Sequence, residues 1–169
     1  LPHGMVHHPY QLEIYNIEPA WKREGPVYPF ALDVGRFDYG YLMSGFHTRE
    51  SSDGGWYRWT GKTAEILLPW APQGKSLALS LTVGSPRPDG VEPAKVTLYL
   101  NGRPLEPFDL GNEFQTHTVV IPPNFIVVQQ GKTAVLRLET NTWIPAEAGL
   151  EDVRELGIVV GRIELDEAK

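Results

Sequence analysis

The densest group of chemically active side chains lies in the middle of the sequence. Residues 44–61 begin with Ser-Gly-Phe-His-Thr-Arg-Glu and end with Trp-Tyr-Arg-Trp-Thr-Gly. Sugars present apolar C–H faces edged by hydroxyl groups, so a protein that binds them needs an aromatic platform beside bidentate polar groups. This composition predicts a carbohydrate-binding site. The expected contacts are His47, Glu50, Trp56, Tyr57 and Arg58.

Core packing and ion pairing are competing explanations for the same residues. Neighbouring side chains of a strand point to opposite faces, so Trp56 and Arg58 share one face while Tyr57 and Trp59 share the other. One of these faces must be core, and we expect Trp59 to lie in it. For Trp56, exposure and burial are equally compatible with the pattern. Arg58 could equally pair with a carboxylate such as Asp152, which would contribute little stability at the surface.

The sequence lacks the motifs of common catalytic sites. Ser44 has Leu42 two positions before it rather than the glycine of a nucleophile elbow, and no glycine loop has the spacing that holds phosphates. Glycoside hydrolysis needs two carboxylates, but 21 acidic residues make any such pair unspecific. Asp33, Asp38 and Asp53 could supply calcium oxygens, yet no Asp-x-Asp-x-Asp run occurs. We therefore expect no enzyme activity, no cofactor and no metal.

Charge and composition exclude several classes of partner. The formal charge of −6 and the pI near 5.3 give no cationic surface for nucleic acid or anionic lipid. Apolar stretches are far shorter than the ~20 residues that span a bilayer, so direct membrane insertion is not expected. The absence of cysteine removes disulfides and thiolate chemistry. Because the chain starts at Leu1 without an initiator methionine, we expect a processed form or a piece of a longer protein.

The elements that must position these residues are short strands. With 17 glycines and 15 prolines, long helices are not expected, and the best apolar segments alternate with period two. Asn101-Gly102 predicts a type I′ turn, and a phase slip beside Gly161 predicts a β-bulge. The one helical candidate is a turn or two within Glu147–Arg154. The predicted strands are Gln11–Ile17, Val27–Val34, Tyr41–His47, Trp56–Thr60, Thr63–Leu68, Ser76–Val83, Lys95–Leu100, Pro104–Leu110, Phe114–Ile121, Thr133–Thr140 and Leu156–Leu165.

This pattern predicts an all-β chain that folds as a two-sheet antiparallel jelly-roll sandwich. The Pro/Gly-rich stretch Gly84–Pro93 has strands of the same character on both sides, so we interpret it as a loop. One domain is expected over residues 10–166, preceded by a loosely held arm at Leu1–Pro9.

Several motifs within residues 35–165 point to a known module. They are Gly45-Phe46-His47 with Glu50, Trp56-Tyr57-Arg58-Trp59-Thr60, Ala64-Glu65-Ile66-Leu67-Leu68-Pro69, Val96 to Gly102, Trp143-Ile144-Pro145 and Asp152 to Ile158. Together they resemble the accessory β-sandwich of bacterial envelope proteins, notably those with membrane glycosyltransferases. The resemblance implies a galactose-binding-domain-like jelly roll, a fold widely used for non-catalytic carbohydrate recognition. The membrane helices and catalytic domain that usually accompany the module are absent from this sequence.

The leading hypothesis is a non-catalytic carbohydrate-binding module of an extracellular or cell-surface protein, with a glycan or polysaccharide as its partner. The alternative is a structural or assembly module that binds another domain or subunit, to which the arm Leu1–Pro9 could add as an edge strand. A third hypothesis, a hydrolase acting on envelope polysaccharide, would require two carboxylates that converge in a cleft.

Overall fold

The computed structural model describes residues 28–69, 75–123 and 133–169. The predicted arm Leu1–Pro9 and the predicted strand Gln11–Ile17 lie outside these ranges. Ten strands form within the described residues and join into one curled antiparallel sheet. The strands are β1 Phe30–Asp33, β2 Leu42–Ser52, β3 Gly55–Pro69, β4 Leu77–Gly84, β5 Ala94–Leu100, β6 Arg103–Pro104, β7 Phe108–Leu110, β8 Gln115–Ile121, β9 Thr133–Thr140 and β10 Val159–Glu167.

The alternating sequence pattern produces the strands because each one buries every second side chain. In β4, Leu77, Leu79, Leu81 and Val83 are buried while the residues between them are half-exposed. Fully burying one such aliphatic side chain contributes about 2 kcal/mol. Buried residues of β3, β4, β5, β9 and β10 belong to one continuous core. The all-β prediction is therefore confirmed.

The curled sheet has two layers that share strand β3. On one side, β9 pairs with residues 63–69 of β3, and β5 pairs with β9. On the other side, β10 pairs with Arg58 and Trp59 of β3, β4 pairs with β10, and β8 pairs with β4. The main core lies between these two layers. This is the predicted two-sheet sandwich, with β3 passing from one sheet into the other.

Two local predictions are confirmed by backbone geometry. Asn101 and Gly102 have φ angles of 49° and 80°, as a type I′ turn requires, and they join β5 to β6. The register of β10 against β4 shifts between Val160 and Arg162, which places the predicted bulge at Gly161. The stretch between β4 and β5 is a loop, and buried Arg87 holds it by donating to the backbone carbonyls of Glu92, Asn141 and Gly157.

Several predicted boundaries are wrong. The predicted strand Tyr41–His47 continues to Ser52 in β2, and Leu156–Leu165 begins too early, because β10 starts at Val159. Trp56–Thr60 and Thr63–Leu68 form the single strand β3, because Gly61 and Lys62 continue the strand instead of ending it. The turn of the β2–β3 hairpin is only Asp53-Gly54, because Ser51 and Ser52 belong to β2 and Gly55 belongs to β3. Pro104–Leu110 splits into β6 and β7. The helical candidate Glu147–Arg154 is a single 3₁₀ turn at Pro145–Ala148, because Pro145 favours the first turn and Gly149 ends it.

Within the described ranges, no helix is both long and apolar enough to span a bilayer.

Candidate functional site

A surface hollow of about 350 Å³ lies where the tip of the β2–β3 hairpin meets β10. Its walls combine two aromatic rings with charged groups and glycines. We call it the Trp56 hollow. The residues that line it are Asp33, Arg36, Gly54, Gly55, Trp56, Thr82, Phe114, Gly161 and Arg162.

The β2–β3 hairpin places Trp56 at the wall of this hollow. Ser51 of β2 pairs with Trp56 of β3, one step from the turn, so the hairpin tip carries the indole away from the core. The side chain is 42% exposed, as is that of Phe114, which lines the same hollow. The Arg49 guanidinium carbon lies 5.1 Å from the Trp56 ring centroid, within cation–π distance.

The bulge at Gly161 keeps the hollow open. A Cβ at this position would lie 3.4 Å from Phe114 Cε1 and 3.6 Å from the backbone oxygen of Trp56. A longer side chain would therefore extend into the space between the two aromatic residues. The bulge that the sequence predicts thus lies at the candidate site, as bulges often do.

The arginines around the hollow have different partners. Arg162 is ion-paired with Asp33 and with Glu164, and the hydrogen bonds to these carboxylates raise the pKa of its guanidinium. Arg36 instead lies with its guanidinium carbon 4.9 Å from the Phe37 ring centroid. Among the described residues, neither Arg36 nor Arg49 pairs with a carboxylate. In the lining of the hollow, Arg162 is therefore neutralised, while Arg36 has no paired carboxylate among the described residues. Arg49, which lies over the Trp56 ring, has none there either.

The loop between β1 and β2 carries Arg36 and is fixed by Asp38. Asp38 accepts hydrogen bonds from the backbone N–H of Gly35, at 2.6 Å, and from Arg58 Nε, at 2.5 Å. Burial opposes ionisation of Asp38, but the bonds from Arg58 and Gly35 outweigh it and lower the pKa of this carboxyl. Phe37 and Tyr39, on either side of Asp38, are 65% and 83% exposed. A buried ion pair therefore holds a loop that displays two aromatic rings.

Glu50 and Tyr57 form a second group that does not share the hollow. They are cross-strand neighbours, and strand alternation turns both away from Trp56. The Tyr57 hydroxyl donates to Glu50 at 3.5 Å, and Arg154 donates to Glu50 at 2.8 Å. Burial and the Glu50 carboxylate raise the pKa of Tyr57. Arg154 also binds Asp152, and its hydrogen bonds lower the pKa of Asp152 to about 2.

The alternative that Arg58 pairs with a carboxylate is confirmed, but the partner is Asp38 and not the suggested Asp152. Arg58 pairs with Asp38, while Asp152 pairs with Arg154, two residues along the chain. Arg58 also donates to the backbone oxygen of His47 at 3.0 Å. His47 Nε2 in turn donates to the backbone oxygen of Glu155 at 3.0 Å. Of the five predicted contacts, Trp56 is the one that lines the hollow.

Trp59 packs in a small core of its own, as expected from its position. It is buried with Trp143, Leu156 and Val159, and the two indole centroids lie 6.5 Å apart in an edge-to-face arrangement. Tyr57 is partly buried against this cluster. Of the two tryptophans on β3, Trp59 therefore packs in a core and Trp56 is exposed at the surface.

Sequence reasoning missed Arg36, Phe37, Phe114 and Arg162 as residues of the site or its rim. A signal was present at residues 35–41, where Gly-Arg-Phe-Asp-Tyr-Gly-Tyr alternates aromatic and charged residues between glycines. For Phe114 and Arg162 no local signal exists, because register across four strands brings them to the hollow.

A second depression, on the layer of β9 and β5, is a weaker candidate. It measures about 450 Å³ and is lined by polar side chains without an aromatic ring among the described residues. The lining residues are Lys62, Thr63, Lys95, Thr97, Glu139, Thr140 and Asn141. Nor do the described residues contain a group of three His, Asp or Glu side chains that could hold a metal ion.

The backbone is similar to those of solved sugar-binding modules. It superposes on the family 35 carbohydrate-binding module from Clostridium thermocellum with a TM-score of 0.52 and 11% identity, covering 81% of this chain and 98% of that module. For the C-terminal family 6 module of a laminarinase from Zobellia galactanivorans, the TM-score is 0.50 and the identity 13%, covering 82% of this chain and 100% of that module. The fold is that of a carbohydrate-binding module.

The same fold also occurs inside a larger enzyme. The 4-O-methyl-α-glucuronidase BtGH115A matches with a TM-score of 0.52 and 11% identity, covering 83% of this chain but 18% of the enzyme. No family model and no curated protein matches the sequence. At these identities the likeness defines the fold, and a ligand must be argued from the site itself.

Proposed function

We propose that this chain is a non-catalytic carbohydrate-binding module whose ligand occupies the Trp56 hollow. The observation that carries the proposal is the exposed indole of Trp56, which forms a wall of an open hollow on this fold. A sugar ring would stack its C–H face on the indole, and its hydroxyls would bond to Arg36, Thr82 and Arg162. Such shallow sites bind weakly, on the order of micromolar to millimolar.

The lining of the hollow favours binding over hydrolysis. Of the described residues that line it, Asp33 is the one carboxylate, and Arg162 is ion-paired with it. Glycoside hydrolysis uses two carboxylates on either side of the scissile bond. A paired Asp33 without a second acid supplies neither the general acid nor the nucleophile.

In this proposal the other four predicted contacts lie outside the hollow and support or extend it. Arg58 holds the loop that carries Arg36, through Asp38. His47, Glu50 and Tyr57 form the neighbouring polar group, where a longer glycan would extend. The biological setting that we propose is an extracellular or envelope protein in which this module is an accessory domain, for example beside a membrane glycosyltransferase.

The test is binding to a panel of soluble polysaccharides by affinity electrophoresis and calorimetry. Wild type is compared with Trp56→Ala and with Tyr99→Ala, which removes an aromatic ring from the layer of β5. We expect Trp56→Ala to weaken binding at least tenfold, as losing one stacked ring does, and Tyr99→Ala to leave it unchanged. Circular dichroism checks that both variants fold.

Equal binding by wild type and Trp56→Ala would remove the hollow from the proposal. Concentration-dependent oligomers in light scattering, with no response to any polysaccharide, would favour the assembly module instead.

A further inference from the structure

We propose that the Trp56 hollow selects anionic sugars, that is, sugars bearing a carboxylate or a sulfate ester. This inference rests on the proposed function, because it names the class of glycan that the same hollow takes.

Positive charge is concentrated at the hollow and on the indole of Trp56. Arg36 lines the hollow, and the guanidinium of Arg49 lies 5.1 Å from the Trp56 ring centroid. Within the described part of the chain both make ring contacts and no ion pair. Arg162, in the same hollow, is neutralised by Asp33 and Glu164. Arg36 in the hollow and Arg49 over the Trp56 ring are therefore two positive charges without a paired carboxylate among the described residues.

The positive charge at the hollow is opposite in sign to the net charge of the chain. The whole chain carries a formal charge of −6, yet the lining of the hollow has two arginines against one aspartate. Elsewhere the described arginines near carboxylates pair with them, as Arg58 and Arg154 do. The local positive charge is thus a property of this hollow and not a background of the surface.

Arginine side chains beside an aromatic ring fit a sugar that carries an anionic group. A guanidinium fork matches the two oxygens of a carboxylate or sulfate with parallel hydrogen bonds, which a single hydroxyl cannot reproduce. In a uronic acid the carboxylate projects from the edge of the pyranose ring. The partners that we propose for this group are Arg36, which lines the same hollow as Trp56, and Arg49, whose guanidinium lies over the indole ring. Because the Arg49 guanidinium stacks on the indole, the Arg49 side chain is already restricted to few rotamers before a ligand binds.

The experiment uses pairs of polymers that differ only in charge. Polygalacturonate and alginate are each compared with their carboxyl-reduced forms, in which each carboxylate becomes a neutral hydroxymethyl group. Dextran sulfate against dextran tests the sulfate ester, and polyglutamate tests a polyanion without sugar rings. We expect at least one charged polysaccharide to bind about tenfold or more tightly than its neutral form, and polyglutamate to bind far more weakly.

Variants then connect the preference to the two arginines. Arg36→Gln and Arg49→Gln are each expected to reduce binding of the charged polymer several-fold more than binding of its neutral form, so that the preference for charge shrinks in both variants. The control Lys62→Gln makes the same change in charge at an exposed site of β3, away from the hollow, and should not affect the preference. A preference for the carboxylated or the sulfated polymer identifies which anion the site takes.

The outcomes separate this inference from the function on which it rests. Equal binding of charged and neutral polysaccharides, both lost in Trp56→Ala, overturns the charge selectivity and leaves the module function intact. If polyglutamate binds as strongly as the acidic polysaccharides, the site attracts any polyanion, and the proposed selectivity for anionic sugars is overturned. Binding of no polysaccharide at all overturns both.

Discussion

The carboxylate of Asp38 anchors the loop that forms one rim of the candidate site. It joins the loop between β1 and β2 to Arg58 of β3, and the side chains of the pair are only 9% and 22% exposed. Arg36, Phe37 and Tyr39 lie on that loop. The position of one rim of the hollow therefore depends on an ion pair that does not contact the hollow itself.

Asp38→Asn should destabilise the fold by about 2–3 kcal/mol, because it leaves the guanidinium of Arg58 partly buried without its counter-charge. Urea unfolding followed by tryptophan fluorescence measures this change. We expect sugar binding to weaken as well, since the loop carrying Arg36 loses its anchor.

The matched control is Glu167→Gln, which breaks the ion pair of Lys75 with Glu167 at the surface. Exposed pairs of this kind contribute about 0.5 kcal/mol or less. A loss of stability in Asp38→Asn no larger than in Glu167→Gln would show that the Asp38 pair has no special role.

Whether a single side chain is buried or exposed was predictable from the sequence only where strand alternation determines it. It separated Trp56 from Trp59, and burial of Trp59 followed from the apolar neighbours on its face. The partner of Arg58 was not predictable, since Asp38 lies 20 residues earlier, in a loop whose path depends on the whole fold. The exposed rings of Phe37 and Tyr39 depend on that same loop.

At the scale of elements, the β2–β3 hairpin determines where the candidate site lies. Its register shifts three times between Leu42 and Arg49, and Gly45 lies within the second of these shifts, between Ser44 and Phe46. Gly45 has a φ of +76°, and a Cβ there would lie 1.9 Å from the backbone oxygen of Thr63. The two strands can approach this closely only because the residue has no side chain.

Gly45→Ala should therefore cost more than about 3 kcal/mol, from the left-handed backbone and the forced movement of β3 together. Thermal unfolding in a calorimeter checks this value. The comparison is Gly102→Ala, which also has a positive φ, of +80°, but meets no atom within 4 Å. It should cost only about 1–2 kcal/mol. Similar losses in both variants would contradict the close approach at Gly45.

The elements themselves were largely predictable because strands that bury one face leave an alternating pattern. Ser76–Val83 and Lys95–Leu100 match β4 and β5 within one residue. The pattern did not reveal that β3 is continuous, since Gly61 and Lys62 interrupt the apolar alternation although the strand runs through them. Nor did it predict the hollow, which arises from contacts between strands far apart in sequence.

For the whole molecule, one edge of the sandwich is closed by a pair of stacked rings. Phe108 of β7 belongs to the layer of β5, and His117 of β8 belongs to the layer of β4. Their centroids lie 3.6 Å apart and their planes are 19° from parallel. Burial lowers the pKa of His117 below its usual 6.5, while Glu106 opposes this shift.

This arrangement predicts that the fold loses stability as the pH falls below about 6.5. The unfolded chain then binds a proton that the folded His117 resists until its own, lower pKa is reached. The free energy of unfolding is measured from pH 7.5 to 5 for wild type and His117→Phe, which keeps a ring against Phe108. We expect the decline to be smaller in the variant. Parallel curves would show that His117 does not contribute.

Strand β3 has a consequence for how the molecule opens. Its backbone is hydrogen-bonded to β2, to β10 and to β9, so it belongs to both layers at once. The two layers cannot separate from each other unless the backbone hydrogen bonds of β3 to one of them break. The sandwich should therefore unfold as one cooperative unit, with the central amides of β3 exchanging their hydrogens only in the globally unfolded state.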